Sequence, residues 1–363
     1  MARFMVLGAS LVVMSCTITR DPPGPRADCY LASGPIPSAL PSLAAVPPRQ
    51  SATPATGTIL RVVATTTLPG ATSSTDIVAD AARERVYVLS SDGLLVTVDT
   101  KTNAVLASLD VGELTDGMAV DAATGRLYVH VTRSTSSSGV GALAVIEGNK
   151  VVVTVEPSAA ASFAPGVLAV NPRTGCVYIG DFSGKVAIVD VRTNAVQGSL
   201  DVGGQPIGIA VDAEANRVFV ATAGPTSGLT IIDGSSNTVL KSLIGLDTPR
   251  AIAVSSSANG RVYLSTDPET LTILDGATGA IRKTVAVMNR PDAVAVDPNA
   301  GRIYVANVGA GTVSVIDATT DEVLGTAVVA QAMGEGIAVD TRTGRVYTEE
   351  HYAQPRTLKA FER

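Results

Sequence analysis

Residues 291–329 read PDAVAVDPNAGRIYVANVGAGTVSVIDATTDEVLGTAVV. Four short runs rich in Val and Ile (292–297, 302–307, 312–317 and 322–329) are separated by Gly, Pro, Asn and Asp, the residues that turn a chain. The same pattern recurs around Tyr87, Tyr128, Tyr178, Phe219, Tyr263 and Tyr347, each standing where this copy has Tyr304. Successive copies lie 41, 50, 41, 44, 41 and 43 residues apart. A unit of this length holds four strands and cannot bury both faces alone, so it must stack on its neighbours.

Four-strand units at this period predict an all-β, seven-bladed β-propeller. The last unit has candidate strands at 336–340, 345–348 and 357–361, then ends before its fourth. Residues 58–68, TILRVVATTTL, precede the first full unit and match a fourth strand such as NTVLKSLIGL at 237–246. The simplest closure lets this N-terminal strand complete the last blade, which removes the open edge of the ring. The domains then run 1–15 (signal peptide), 16–57 (tether) and 58–363 (propeller), with roughly 44 residues per blade.

Tyr304-Val305-Ala306-Asn307 resembles the name tetrapeptide of the YVTN-type propeller repeats found in bacterial and archaeal envelope proteins. The resemblance covers residues 58–363. It implies the propeller fold, in a group that holds binding proteins, lactone hydrolases, and quinone- or haem-dependent dehydrogenase subunits.

Composition narrows the classes. Hydrophobic residues make up 46% and charged residues 17%, with no Trp. A propeller accommodates this, because each blade is covered on both faces and its strands need not alternate. Net charge is −6, with no cluster of Lys or Arg, which disfavours a nucleic-acid groove. Arg3, the apolar run 4–14 and the junction Ser15-Cys16 form an export signal. The junction resembles the bacterial lipoprotein signal, in which Cys16 is acylated and becomes the new N-terminus. An ordinary signal peptide with an incidental Cys16 is the alternative. Residues 17–57 hold nine prolines and no apolar periodicity, the composition of an extended, disordered tether. The expected location is the cell envelope, periplasm or cell surface, with membrane contact through the lipid only.

A residue type present in every copy reads as architecture. Turns such as DAATGR (121–126), DPNAGR (297–302) and DTRTGR (340–345) follow the first strand. The Asp that closes the third strand (Asp99, Asp190, Asp233, Asp275, Asp317) likewise reads as a turn device, not a calcium ligand. Deviations carry more information. Arg begins the second strand at 85, 126, 217, 261, 302 and 345, but the third copy has Cys176 there. With Cys16 acylated, Cys29 and Cys176 remain, either as a disulfide or as two free thiols. The 28 residues of 30–57 reach about 80 Å if extended, enough to span a propeller face.

On the face opposite the Asp/Gly turns, three segments depart from the repeat: 132–142, 157–166 and the TEEHYAQPR loop, 348–356. The position at the channel mouth reads Thr75, Asp116, Gly166, Ile207, Arg250, Asp292 and Glu335. Asp116, Arg250, Asp292 and Glu335 therefore form either a mixed-charge ligand site or a solvated rim of paired charges. Glu349 and His351 are further candidate ligand-binding residues. No metal site and no cofactor are expected, because a second ligand cluster, a Cys-x-x-Cys-His run and Trp are all absent from the sequence. The expected function is a monomeric envelope binding or scaffold module, taking a protein or a small polar ligand at the loop face and using no catalytic residue. The alternative is a lactonase-like hydrolase or dehydrogenase-type enzyme working in the central channel.

Overall fold

The computed structural model describes residues 28–31, 59–70, 74–112, 114–134, 139–158, 162–163, 167–256, 260–329, 333–350 and 355–363. The export signal, Cys16, the rest of the 16–57 range and His351 lie outside the described residues. Seven four-stranded antiparallel sheets form blades 1 to 7, at 74–110, 115–155, 168–201, 205–244, 249–286, 291–328, and 333–362 with Arg61–Thr67. Strands are lettered a to d from the centre outward. The seven strands a touch one another in sequence, and the strand a of blade 7, Met333–Asp340, meets that of blade 1, Ser74–Asp80, to close the ring.

Arg61–Thr67 is the missing strand d of the last blade. It runs antiparallel to Thr357–Glu362, with Arg61 opposite Glu362 and Thr67 opposite Thr357. The chain thus joins its two ends in one sheet, and blade 7 gains a fourth strand of the same kind as the others.

The core follows from the repeat. Strand b of each blade carries an aromatic residue that packs between blades. Tyr128, Tyr178, Phe219, Tyr263 and Tyr347 are all fully buried. Full burial of such a side chain is worth roughly 1.5–3 kcal/mol, so these positions supply a large share of blade adhesion. At the other end of the blades the Asp turns work as local caps. Asp99, Asp233, Asp275 and Asp317 each accept two backbone N–H bonds through Oδ1. These donors, led by the N–H of Thr102, Thr278 and Thr320, hold the carboxyls of Asp99, Asp275 and Asp317 below the usual range. The left-handed residue each turn needs is Asn103, Asn237, Gly279 or Asp321.

The strand-b arginines have a structural task. Four of the six reach across to the c–d turn of the next blade, whereas Arg85 and Arg302 pair with Asp99 and Asp317 of their own blades. Nη1 of Arg126, Arg217, Arg261 and Arg345 donates to the carbonyls of Val191 (3.1 Å), Gly276 (2.8 Å), Ala318 (2.5 Å) and Thr100 (2.7 Å). Blade 3 has Cys176 at this position, and another device replaces the arginine. Within the range read as tether, residues 28–31 pack on the junction of blades 3 and 4. Cys29 is buried and disulfide-bonded to Cys176, with Cα atoms 5.4 Å apart. Arg192 Nη1 donates to Asp28 at 2.6 Å, and Asn237 Nδ2 donates to the Tyr30 carbonyl.

Candidate functional site

Strand a carries a β-bulge near its start in the described part of blades 1, 2, 4, 5, 6 and 7. The residue at that bulge is turned out of the ladder toward the mouth of the channel. In blades 5, 6 and 7 these residues are Arg250, Asp292 and Glu335, and the structure brings all three together. With Arg290 they line one side of a cavity of about 390 Å³; Gln205, Ile207, Ala223, Thr248 and Pro249 line the rest.

The charges form a chain of alternating sign. Asp267 accepts from Arg250 Nε, and Arg250 Nη1 donates to Asp292 Oδ1 at 3.1 Å. Arg290 Nε lies 2.7 Å from Asp292 Oδ2, off the hydrogen-bond axis, and its Nη2 donates to Glu335 Oε1 at 3.2 Å. Asp292 is the centre, with a side chain only 8% exposed, whereas Glu335 is 59% exposed. Burial pushes the Asp292 carboxyl up, although both arginines oppose it. The hydrogen bond to Asp267 leads the contacts that hold the Arg250 guanidinium protonated. Two guanidinium groups, the buried carboxylate of Asp292 and the exposed one of Glu335 line this cavity and can hold an anionic group beside a cationic one. Arg supplies the bidentate geometry that a carboxylate or phosphate needs.

Arg290 and Asp267 were not read from the sequence. Arg290 sits in the connection from blade 5 to blade 6 with φ of 55°, a left-handed conformation uncommon for a residue with a side chain. Its N–H donates to the Pro268 carbonyl at 3.0 Å and its carbonyl accepts from Val308 at 2.8 Å, which fixes the conformation. The available signal was a charged residue immediately before Pro291.

The other candidates stand elsewhere. Asp116 belongs to blade 2 and faces His130, with Oδ2 3.6 Å from Nδ1. His130 is fully buried, and its Nε2 must carry a proton because it meets the carbonyl of Phe163, which can only accept. Glu349 is also buried: Arg356 binds its carboxylate through Nε (2.6 Å) and Nη2 (3.2 Å), and Ser74 donates its N–H at 2.9 Å. Both oxygens are committed to the seam between blades 7 and 1.

Asp76 is a second acid that sequence reasoning passed over. It stands where other blades carry Gly117, Val167, Gly208, Ala251, Ala293 and Gly336, and accepts the N–H groups of Met118 (2.9 Å) and Ile77 (2.8 Å). Desolvation pushes it up to about 6 against those two donors. Among the described residues, no group of three or more His, Cys, Asp or Glu is placed to hold a metal ion.

No protein-family model matches this chain. Over 156 residues it is 26% identical to "Uncharacterized protein YncE" of Salmonella typhi, a match that takes in 41% of this chain and 41% of the relative. The YncE of Salmonella typhimurium matches to the same extent. The shared stretch is less than half of either protein.

Proposed function

We propose that the protein is a lipid-anchored binding module of the cell envelope that takes a small polar ligand at the loop-bearing mouth of its propeller. The observation that carries this reading is the Arg250–Asp292–Arg290–Glu335 chain around the cavity of about 390 Å³. The ligand class is a small molecule with a carboxylate or phosphate, for which Arg250 and Arg290 are the partners.

Arg250→Ala is expected to weaken such a ligand by about 10- to 150-fold, the equivalent of a charge-assisted hydrogen bond of roughly 1.5–3 kcal/mol. Calorimetry across a panel of amino acids, carboxylates and phosphate esters provides the check. Unchanged affinity in Arg250→Ala moves the site away from the mouth.

The anchor rests on Arg3, the apolar run and the Ser15-Cys16 junction. Cys16→Ser is expected to shift the protein from the membrane to the soluble fraction of its native host. Equal membrane retention of mutant and parent defeats the lipoprotein reading.

A further inference from the structure

A second cavity lies on the other side of the ring, at a junction where the strand-b arginine stays on its own blade. It is a groove of about 1080 Å³ that starts on the outer strands of blade 1, crosses the end of blade 2 and reaches Arg192 in blade 3. Its origin is a shortened turn. The c–d turn of blade 2 is only Gly148-Asn149, between strands Gly139–Glu147 and Lys150–Val155. It offers no carbonyl to Arg85, which folds back on Asp99 (2.8 Å) and the Glu84 carbonyl (3.0 Å) of its own blade.

The row of side chains facing the groove is small as well. Tyr87, Thr97 and Ala107 are cross-strand neighbours in blade 1. Blades 4 and 5 carry Phe219, Ile231, Lys241 and Tyr263, Ile273, Lys283 in the same register. There the lysines reach the next blade, at the carbonyls of Thr278 (2.5 Å) and Thr320 (3.4 Å).

Blades 3, 6 and 7 also end this row in a small residue, Gly198, Gly325 and Ala64, and the row of blade 3 is covered by a distant segment of the chain. In blade 3 the row is Tyr178, Ile188, Gly198, and Leu31 lies so close over Gly198 that a Cβ there would sit 2.7 Å from Leu31 Cδ2. The occupant is this chain's own Asp28-Cys29-Tyr30-Leu31, with Asp28 paired to Arg192 and the Tyr30 carbonyl bound by Asn237. The same positions recur at the open groove. Lys101 follows Asp99 by two residues as Arg192 follows Asp190, Arg85 replaces Cys176, and Ala107 replaces Gly198. Leu106 beside it is 48% exposed, an apolar contact without a cover among the described residues.

We infer that the groove between blades 1 and 2 docks an extended peptide segment of a partner protein, one that carries an acidic residue three positions before an aliphatic one. The acidic residue faces Arg85, and the aliphatic one lies over Ala107 against Leu106, all three of which line the groove. This site is separate from the channel mouth and uses none of its residues.

The test uses the full-length oxidised protein, whose disulfide keeps residues 28–31 in place, and a fluorescein-labelled peptide Ala-Asp-Ser-Tyr-Leu-Ala-Ser. The peptide copies residues 27–33 with Cys29→Ser. Fluorescence anisotropy is expected to show saturable binding, and a peptide with Lys for Asp and Ser for Leu is expected to bind at least 10-fold more weakly. The double substitution Thr97→Ile and Ala107→Lys gives blade 1 the residues of blades 4 and 5, so it fills the groove without asking the fold for anything new. It is expected to reduce binding at least 10-fold while leaving Tm unchanged or higher. Undiminished binding to that variant overturns the proposal, as does no binding to the parent protein. Binding that appears only after removal of residues 17–27 also overturns it, and assigns the groove to the chain's own leader.

Discussion

Removing Arg61–Thr67 is expected to abolish cooperative folding of the propeller. Among the described residues that strand is the only partner on the outer edge of Thr357–Glu362, so its loss leaves blade 7 three-stranded with a bare edge. The flanking Leu60 and Leu68 are buried in two different inter-blade clusters, one toward blade 6 and one toward blade 1. Together they contribute about 3–6 kcal/mol. Thr66 Oγ1 donates to the Asn103 carbonyl of blade 1 at 2.8 Å, and Leu68 N–H to the Arg356 carbonyl at 2.9 Å. Against a total stability of about 5–15 kcal/mol, the summed loss is enough to unfold the domain. Circular dichroism and gel filtration are the measurements, and a peptide of residues 58–69 added in trans should restore part of the melting transition. A truncated protein melting within about 5 °C of the parent shows that the ring does not depend on this strand.

Most of that architecture was readable because it is repeated. Seven copies of one strand pattern average out local ambiguity, and an unpaired fourth strand at one end matches a missing one at the other. The mouth was readable where the repeat itself delivers residues. Arg250, Asp292 and Glu335 occupy one repeat position in three consecutive blades, so they must be neighbours. Asp116 shares the position, but blade 1 with Thr75 intervenes, and it faces a buried histidine of its own blade. Arg290 was hidden because a connecting loop has no repeat to report it, and its left-handed backbone is set by contacts with Pro268 and Val308. Cys176 was legible as a gap in the arginine series. Its disulfide with Cys29 was one of the two readings and is the one formed, but the packing of Asp28, Tyr30 and Leu31 on blades 3 and 4 was not legible, since nothing in those residues announces it.

Glu349 shows the opposite failure, a charged loop residue whose task is structural, and its replacement should be costly. Glu349→Ala is expected to destabilise the protein by about 3–5 kcal/mol, because it leaves the Arg356 guanidinium buried without its counter-ion. Arg356 is 3% exposed, and besides Glu349 it reaches the Ser90 hydroxyl at 2.5 Å and the Pro69 carbonyl at 3.3 Å. The pair therefore ties three pieces together: strand b of blade 7, the exit of the closing strand, and blade 1. For a domain of this size the loss corresponds to a fall in Tm of about 5–8 °C. Glu349→Met combined with Arg356→Met removes both charges, and should be more stable than either single variant, because an apolar pair carries no uncompensated charge. Strictly additive destabilisation in that cycle would show that the two residues do not act as a pair. Ligand affinity at the mouth separates the two roles considered for Glu349. A variant that melts early but binds as the parent does places it in the seam, whereas a fall in affinity at unchanged Tm returns it to the site.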